Sequence, residues 1–206
     1  MKNIFDDHYE KYDAWYDRYD LAYLSELAAV RKKLPRTGRG LEIGVGTGRF
    51  AAPLGIKYGV DPARNMLKKA EERGVKTRAC SGERLPFKSG SFDYIAVIVT
   101  LSFVDDPAEV LKEAARVLKK NGRIVIGMID GESFLGRYYR EKKGVFYTNA
   151  HLLSVDRVTE MLKLSGFRGF SFLQTIFRIP PEMKSVHRIL TGHGRGGFVV
   201  ISARKS

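Results

Sequence analysis

The sequence predicts an α/β fold built on a mostly parallel sheet with crossover helices. Three observations carry this expectation. From Leu41 onward, short apolar runs alternate with amphipathic segments, as strands buried on both faces alternate with the helices that cover them. The stretch "GLEIGVGTGRF" sets Gly44, Gly46 and Gly48 at alternate positions directly after the first run, which suits a strand that turns sharply into a helix. At the end of the chain, "GFRGFSFLQTIFRI" and "GGFVVISARK" read as two strands with no helical pattern between them. They are expected to form an antiparallel hairpin at the sheet edge.

Taken in order, residues 5–34 read as one helix, because Phe5, Tyr9, Tyr12, Trp15, Tyr16, Tyr19, Tyr23, Leu24 and Leu27 recur at roughly helical spacing before "LPRTGRG" stops it. Strands follow at 41–43, 58–60, 75–79, 94–101 and 124–129. The helix after the glycines should be short, since Pro53 lies too deep in "RFAAPLG" to be a first-turn proline. "DPARNMLKKAEERG" and "DPAEVLKEAARVLKKNG" share an Asp-Pro start and a Gly stop and read as helices. Another helix is expected near 154–165, and a long loop, "PPEMKSVHRILTGHGRG", joins the last two strands. With 206 residues and no proline- or serine-rich linker, the chain reads as a single domain over 1–206. Within it, 1–38 is helical, 39–130 is the core, 131–153 an insertion, and 154–206 the final helix and strands.

Composition narrows the function. No apolar run reaches the ~18 residues that span a bilayer, and the N-terminus lacks a signal-like apolar region, so a cytoplasmic protein with no membrane partner is expected. One cysteine, Cys80, excludes a disulfide framework, and four scattered histidines without ligand spacing argue against a metal site. A single glutamine and few asparagines fit a protein built for high temperature. The net charge of +13 is uneven: residues 1–110 carry 18 Lys/Arg against 16 Asp/Glu, and residues 111–206 carry 18 against 7. The basic half could attract nucleic acid or an anionic substrate, or simply be a solvated surface.

Where a strand ends in a glycine turn and opens into a helix, bare backbone N–H groups and a positive dipole end meet, which makes a ligand site. Here the loop is GxGxG, with Glu42 just before it, and the next strand ends at Asp61, seventeen residues after Gly44. A carboxylate at that strand end can accept hydrogen bonds from both hydroxyls of a ribose. The alternatives are a purely structural corner, a nicotinamide-binding fold and, for Asp61, a cap on "DPARN", which one carboxylate can also supply.

Taken together, "LEIGVGTG", "YGVDPARNML", "GERLPFKSGSFDYIAV" and "LKEAARVLKKNGRIVIG" are similar to class I S-adenosylmethionine-dependent methyltransferases, in particular the small-molecule branch in which an "LPF…SFD" stretch leads into the fourth strand. The resemblance implies a Rossmann-like, doubly wound sheet of seven strands, mostly parallel with a reversed last strand, flanked by helices. It also implies S-adenosyl-L-methionine as cofactor. By position, Gly44, Val45 and Gly46 match the loop that packs against the methionine part, and Glu42 the acidic residue supporting it. Asp61 matches the ribose carboxylate, and Pro62 and Met66 lie near the adenine. Ser81 stands where the family usually has an aspartate facing the adenine amino group, with Gly82 and Glu83 beside it; Glu83 is equally readable as a solvated loop carboxylate. Ile98 and Val99 match the place where backbone carbonyls meet the cofactor's amino group. The aromatic N-terminal helix, with Tyr12, matches a lid across the cofactor, against the alternative of plain core packing.

Methyl transfer from a sulfonium is an in-line displacement that needs alignment and exclusion of water more than side-chain catalysis. This agrees with the lack of any Ser-His-Asp or paired-carboxylate arrangement. The acceptor is expected to be a small molecule, met by Tyr16, by Ser102 and Phe103 after the fourth strand, and by Tyr138, Tyr139 and Phe146 in the aromatic, basic insertion, with Phe134 and Tyr147 nearby. Arg137, Arg140, Lys142 and Lys143 would lie at the rim. These aromatics could instead form a small satellite core. His151 is a candidate general base, or a helix cap or core residue. Two other readings are an RNA-directed methyltransferase using the basic half and a non-catalytic cofactor-binding module. Against the first, there is no appended RNA-binding module, and "IPPEM" lacks the polar residue and aromatic of amino-methylating nucleic-acid enzymes.

Overall fold

In chain order the elements are helices α1 (Ile4–Asp7), α2 (Tyr9–Arg18) and α3 (Asp20–Arg31), then β1 (Gly40–Ile43), α4 (Ala51–Leu54), β2 (Tyr58–Asp61), α5 (Arg64–Glu72), β3 (Lys76–Ala79) and β4 (Phe92–Ile98). They continue with α6 (Pro107–Val117), β5 (Leu118–Ile129), α7 (Phe134–Glu141), α8 (Val145–Thr148), α9 (Val155–Leu164), β6 (Phe167–Thr175), β7 (Leu190–Thr191) and β8 (Phe198–Lys205). This computed structural model describes residues 4–206.

The strands form one sheet in the order β3-β2-β1-β4-β5-β8-β6-β7. β1 to β5 are mutually parallel, and β8 runs antiparallel between β5 and β6. Two expectations change. The sheet has eight strands among the described residues, the extra one being the two-residue β7 in the long loop, held by pairing with Leu173 and Gln174 of β6. The last two strands do pair antiparallel, but β8 lies inside the sheet, and the edge passes to β6 and β7.

Both faces are covered, and strand alternation explains how. Ile124 and Ile126 face one way, under Val110, Leu111 and Ala114 of α6 and Val158 and Leu162 of α9. Val125 faces the other way, with Phe198 and Val200, under Val30 of α3, Ala51 of α4, Leu67 of α5 and Leu135 of α7. Each such fully buried side chain contributes about 1.5–3 kcal/mol.

The N-terminal segment is three helices and not one. His8 (φ −127°, ψ 27°) and Tyr19 (φ −121°, ψ 49°) leave the helical region and break it. The breaks let each piece pack on a different support. α3 lies against the sheet at β5, β6 and β8. α2 is pinned to the glycine corner, where Asp13 accepts from Arg49 Nε (3.0 Å) and Nη2 (2.8 Å) and from Arg73 Nη2 (2.8 Å). Burial would raise the Asp13 carboxyl, but the two guanidiniums outweigh it and hold the group well below the usual carboxylate range. α1 reaches the start of α5, where Asp6 Oδ1 accepts from Asn65 N (2.7 Å). As Pro53 suggested, α4 has only four residues.

Candidate functional site

The corner after β1 bends over β2, with Gly44 N and Val45 N both donating to Val60 O (2.8 and 2.9 Å). Gly44 has φ +72°, and a Cβ there would come within 2.2 Å of the Thr100 side chain, so the glycine lets the segment after β4 approach β1. Gly46 has φ +51°, and its missing side chain would project toward Met66 Sδ (3.4 Å) and Tyr12 (3.7 Å). Bare backbone there forms the floor of a cavity.

Asp61 ends β2 facing that floor. Its Oδ2 accepts from Gly46 N (3.0 Å) and its Oδ1 from Ala63 N (2.8 Å). Burial raises its pKa to about 6 in spite of these two bonds. Glu42 sits behind the loop, also buried, and its Oε2 has no hydrogen-bond partner among the described residues. Burial pushes this carboxyl well above its ordinary value. Val99, after β4, adopts φ +54°, a left-handed conformation that costs a β-branched residue energy and that clusters at functional sites.

Two cavities meet here. The smaller, about 50 Å³, lies at the C-terminal ends of β1, β2 and β4, where strand order reverses between β1 and β4. The expected residues Tyr12, Gly44, Gly46, Asp61, Met66, Ile98 and Val99 line it, joined by Phe5, Thr100 and Phe103. The larger, about 390 Å³, is walled by Trp15, Tyr16, Tyr19, Tyr139, Phe146 and Tyr147, with Lys11, Arg18, Lys142 and Lys143 also on it. Tyr12, Val99 and Phe103 belong to both. The Tyr12 and Tyr16 hydroxyls are 2.7 Å apart at this junction.

The methyltransferase domain family matches residues 41–126, which span the glycine corner, Asp61 and the β4 end. A crystal structure from Thermotoga maritima, described as an S-adenosylmethionine-dependent methyltransferase and possible histamine N-methyltransferase, superposes with a TM-score of 0.96 at 45% identity over all of both chains. The chain belongs to this methyltransferase family. An uncharacterized protein of Methanocaldococcus jannaschii is 48% identical over 98% of this chain and 99% of its own length. A ubiquinone/menaquinone biosynthesis C-methyltransferase of Desulfotalea psychrophila is 37% identical over 44% of this chain. The methyltransferase takes S-adenosylmethionine as cofactor, and the chemistry of the residues around its small cavity suits that group: the floor is bare backbone, and each Asp61 oxygen keeps a second acceptor position beyond the bond it makes.

Several expected residues lie off the cavity walls of the methyltransferase. Val45 packs under the corner against Gly59, and Pro62 is exposed. Ser81 is exposed and donates to Glu83, whose other oxygen accepts from Asp105 N (3.2 Å). Gly82 is buried against Ile43 and Val110. Ser102 is buried, and its carbonyl accepts from His151 N (2.8 Å), while the His151 side chain is exposed. Tyr138 holds Lys142 Nζ 4.9 Å from its ring centre. The reading of the sequence set Thr100 only in the segment after β4 expected to meet the acceptor and missed its bonding role: its hydroxyl donates to Ile43 O (3.2 Å) and Ile98 O (3.0 Å) and so ties β1 to β4. It also missed Glu26, a buried carboxylate on the larger cavity.

Proposed function

We propose that the enzyme transfers the cofactor's methyl group to a small molecule held in the larger cavity, by in-line attack of a nitrogen, oxygen or carbon. The "LPF…SFD" residues, Leu85 to Phe87 and Ser91 to Asp93, support this reading through their resemblance to the small-molecule branch. The observation that carries the reading is the shared wall: Tyr12, Val99 and Phe103 separate a backbone-floored cavity from an aromatic one of substrate size. A partly enclosed aromatic chamber suits a small molecule better than an RNA strand, which stacks along an open basic groove.

When bound, the cofactor supplies an electrophilic methyl on a sulfonium. Asp61 would accept from the two ribose hydroxyls, the Gly44–Gly46 backbone would carry the methionine part, Ile98 and Val99 would offer carbonyls to its amino group, and Met66 would lie against the adenine. Phe5, Tyr12 and Phe103 exclude water, which strengthens every polar contact inside. The small cavity is too tight for a nucleoside with Phe5 in place, so α1 and α2 act as a lid that swings away for loading. No general base is needed for an acceptor that arrives unprotonated at the reacting atom.

A thermal-shift panel tests the cofactor side. S-adenosylmethionine and S-adenosylhomocysteine should each raise the melting temperature by several degrees at saturating concentration, and NAD should not. A rise with NAD alone would overturn the reading. Mass spectrometry of small-molecule pools incubated with the enzyme and S-adenosylmethionine should then reveal methylated products.

A further inference from the structure

Glu26 presents a puzzle that the folded chain does not resolve by itself. It lies on α3, 3% exposed, on the wall of the larger cavity. It makes no side-chain hydrogen bond and no ion pair among the described residues. Its surroundings are aromatic, and its charge would be felt by Tyr12, Tyr16 and Tyr139. A carboxyl placed so is costly to the fold, and native proteins rarely leave one unpaired without a use.

None of the four cationic side chains on this cavity, Lys11, Arg18, Lys142 and Lys143, pairs with it. Lys142 lines the same cavity, yet its Nζ sits over the rings of Tyr138 (4.9 Å), Tyr147 (5.1 Å) and Tyr19 (5.8 Å). That placement is informative in its own right: the walls attract an ammonium through their π faces.

We infer that Glu26 binds the acceptor's amino group, so that the enzyme's substrates are small aromatic amines, their ring lying among Trp15, Tyr16, Tyr19 and Tyr139 and their nitrogen on the Glu26 carboxylate. The inference rests on the larger cavity being the acceptor site. Two independent features converge on this chemistry. The aromatic walls favour a cation, and the buried carboxylate supplies the opposite charge at one point of the chamber. An acidic acceptor would meet Glu26 with like charge. Burial is the single cause that lifts the Glu26 pKa, to about 8, so no group of the protein already stabilises its ionised form. An arriving ammonium would be the first to do so.

The test uses matched pairs on one ring: phenethylamine with phenethyl alcohol, tryptamine with tryptophol, and imidazole-ethylamine with imidazole-ethanol. Binding is followed by calorimetry with S-adenosylhomocysteine present. In the wild type, at least one amine should bind roughly tenfold or more tightly than its alcohol. Glu26→Gln should remove that preference and leave S-adenosylhomocysteine binding unchanged, while Glu26→Asp should retain part of it. The ligand-free melting temperature of Glu26→Gln should equal or exceed that of the wild type, because an unpaired buried carboxyl has been removed; a purely structural glutamate would give a fall. The inference is overturned if no amine outperforms its alcohol. It is equally overturned if Glu26→Gln keeps the preference, or if it binds all members as the wild type does, the result expected where a protonated Glu26 merely donates to a carbonyl acceptor. Failure of S-adenosylhomocysteine to bind the wild type would instead sink the methyltransferase assignment of the small cavity.

Discussion

Two Asp-Pro pairs open two helices of this protein, and they are used differently. Asp106 is exposed and caps its own helix, accepting from Ala108 N (3.0 Å) and Glu109 N (3.1 Å). Asp61 is buried at the end of β2 and turns one oxygen back to Gly46 N, while Asp6 from α1 supplies the bond to Asn65 N at the start of α5. The same dipeptide is punctuation in one place and, in the function proposed above, a ligand group in the other. The difference is the glycine corner, which brings a neighbouring backbone N–H within reach of Asp61 and removes water from it.

Three experiments sharpen that contrast. The largest effect should come from Asp61→Ala. Two hydrogen bonds to a charged acceptor, at about 1.5–3 kcal/mol each, imply a loss of cofactor affinity of roughly 100-fold or more, read by calorimetry. A variant that kept wild-type affinity would detach Asp61 from the ribose.

Next in size is the pH dependence. Burial raises Asp61 from 3.8 to about 6, so the folded state favours its proton. Its contribution to the stability of the ligand-free protein is therefore full below about pH 4 and is lost as pH rises through about 6. Cofactor binding should run the other way, because in the proposed site the ionised carboxylate would accept both hydroxyls. Affinity should fall by up to tenfold per pH unit below about 6. In Asp61→Asn both slopes should flatten, and an affinity that stayed level from pH 7 to pH 5 in the wild type would contradict the assignment. The smallest effect belongs to Asp106→Ala, which should lower stability by about 1 kcal/mol in urea unfolding and leave cofactor affinity untouched.

What could be read from the sequence follows the same division. The corner at 44–48 and Asp61 are local in the chain, so spacing and glycine pattern pointed to them, whereas the β4 end was picked out by the family resemblance alone. The bonding role of Thr100 was not visible, because it arises from β4 lying beside β1, a contact across more than fifty residues. Glu26 hid for a related reason: an acidic residue in a helix reads as solvent-facing, and it is the tertiary packing of α3 beside the larger cavity that buries it. The single long N-terminal helix was misread because aromatic periodicity continues through His8 and Tyr19, whose backbone breaks serve packing partners distant in sequence. Seven strands became eight through β7, a two-residue bridge too short to leave any pattern.

The bond from Asp6 to Asn65 reaches beyond capping. A door whose latch is also the end-stop of a neighbouring helix cannot open without loosening that helix, and the loosened turn adjoins Asp61 itself. With α1 as the proposed lid, release of the demethylated nucleoside would require fraying at the start of α5, tying turnover to the four-residue α1.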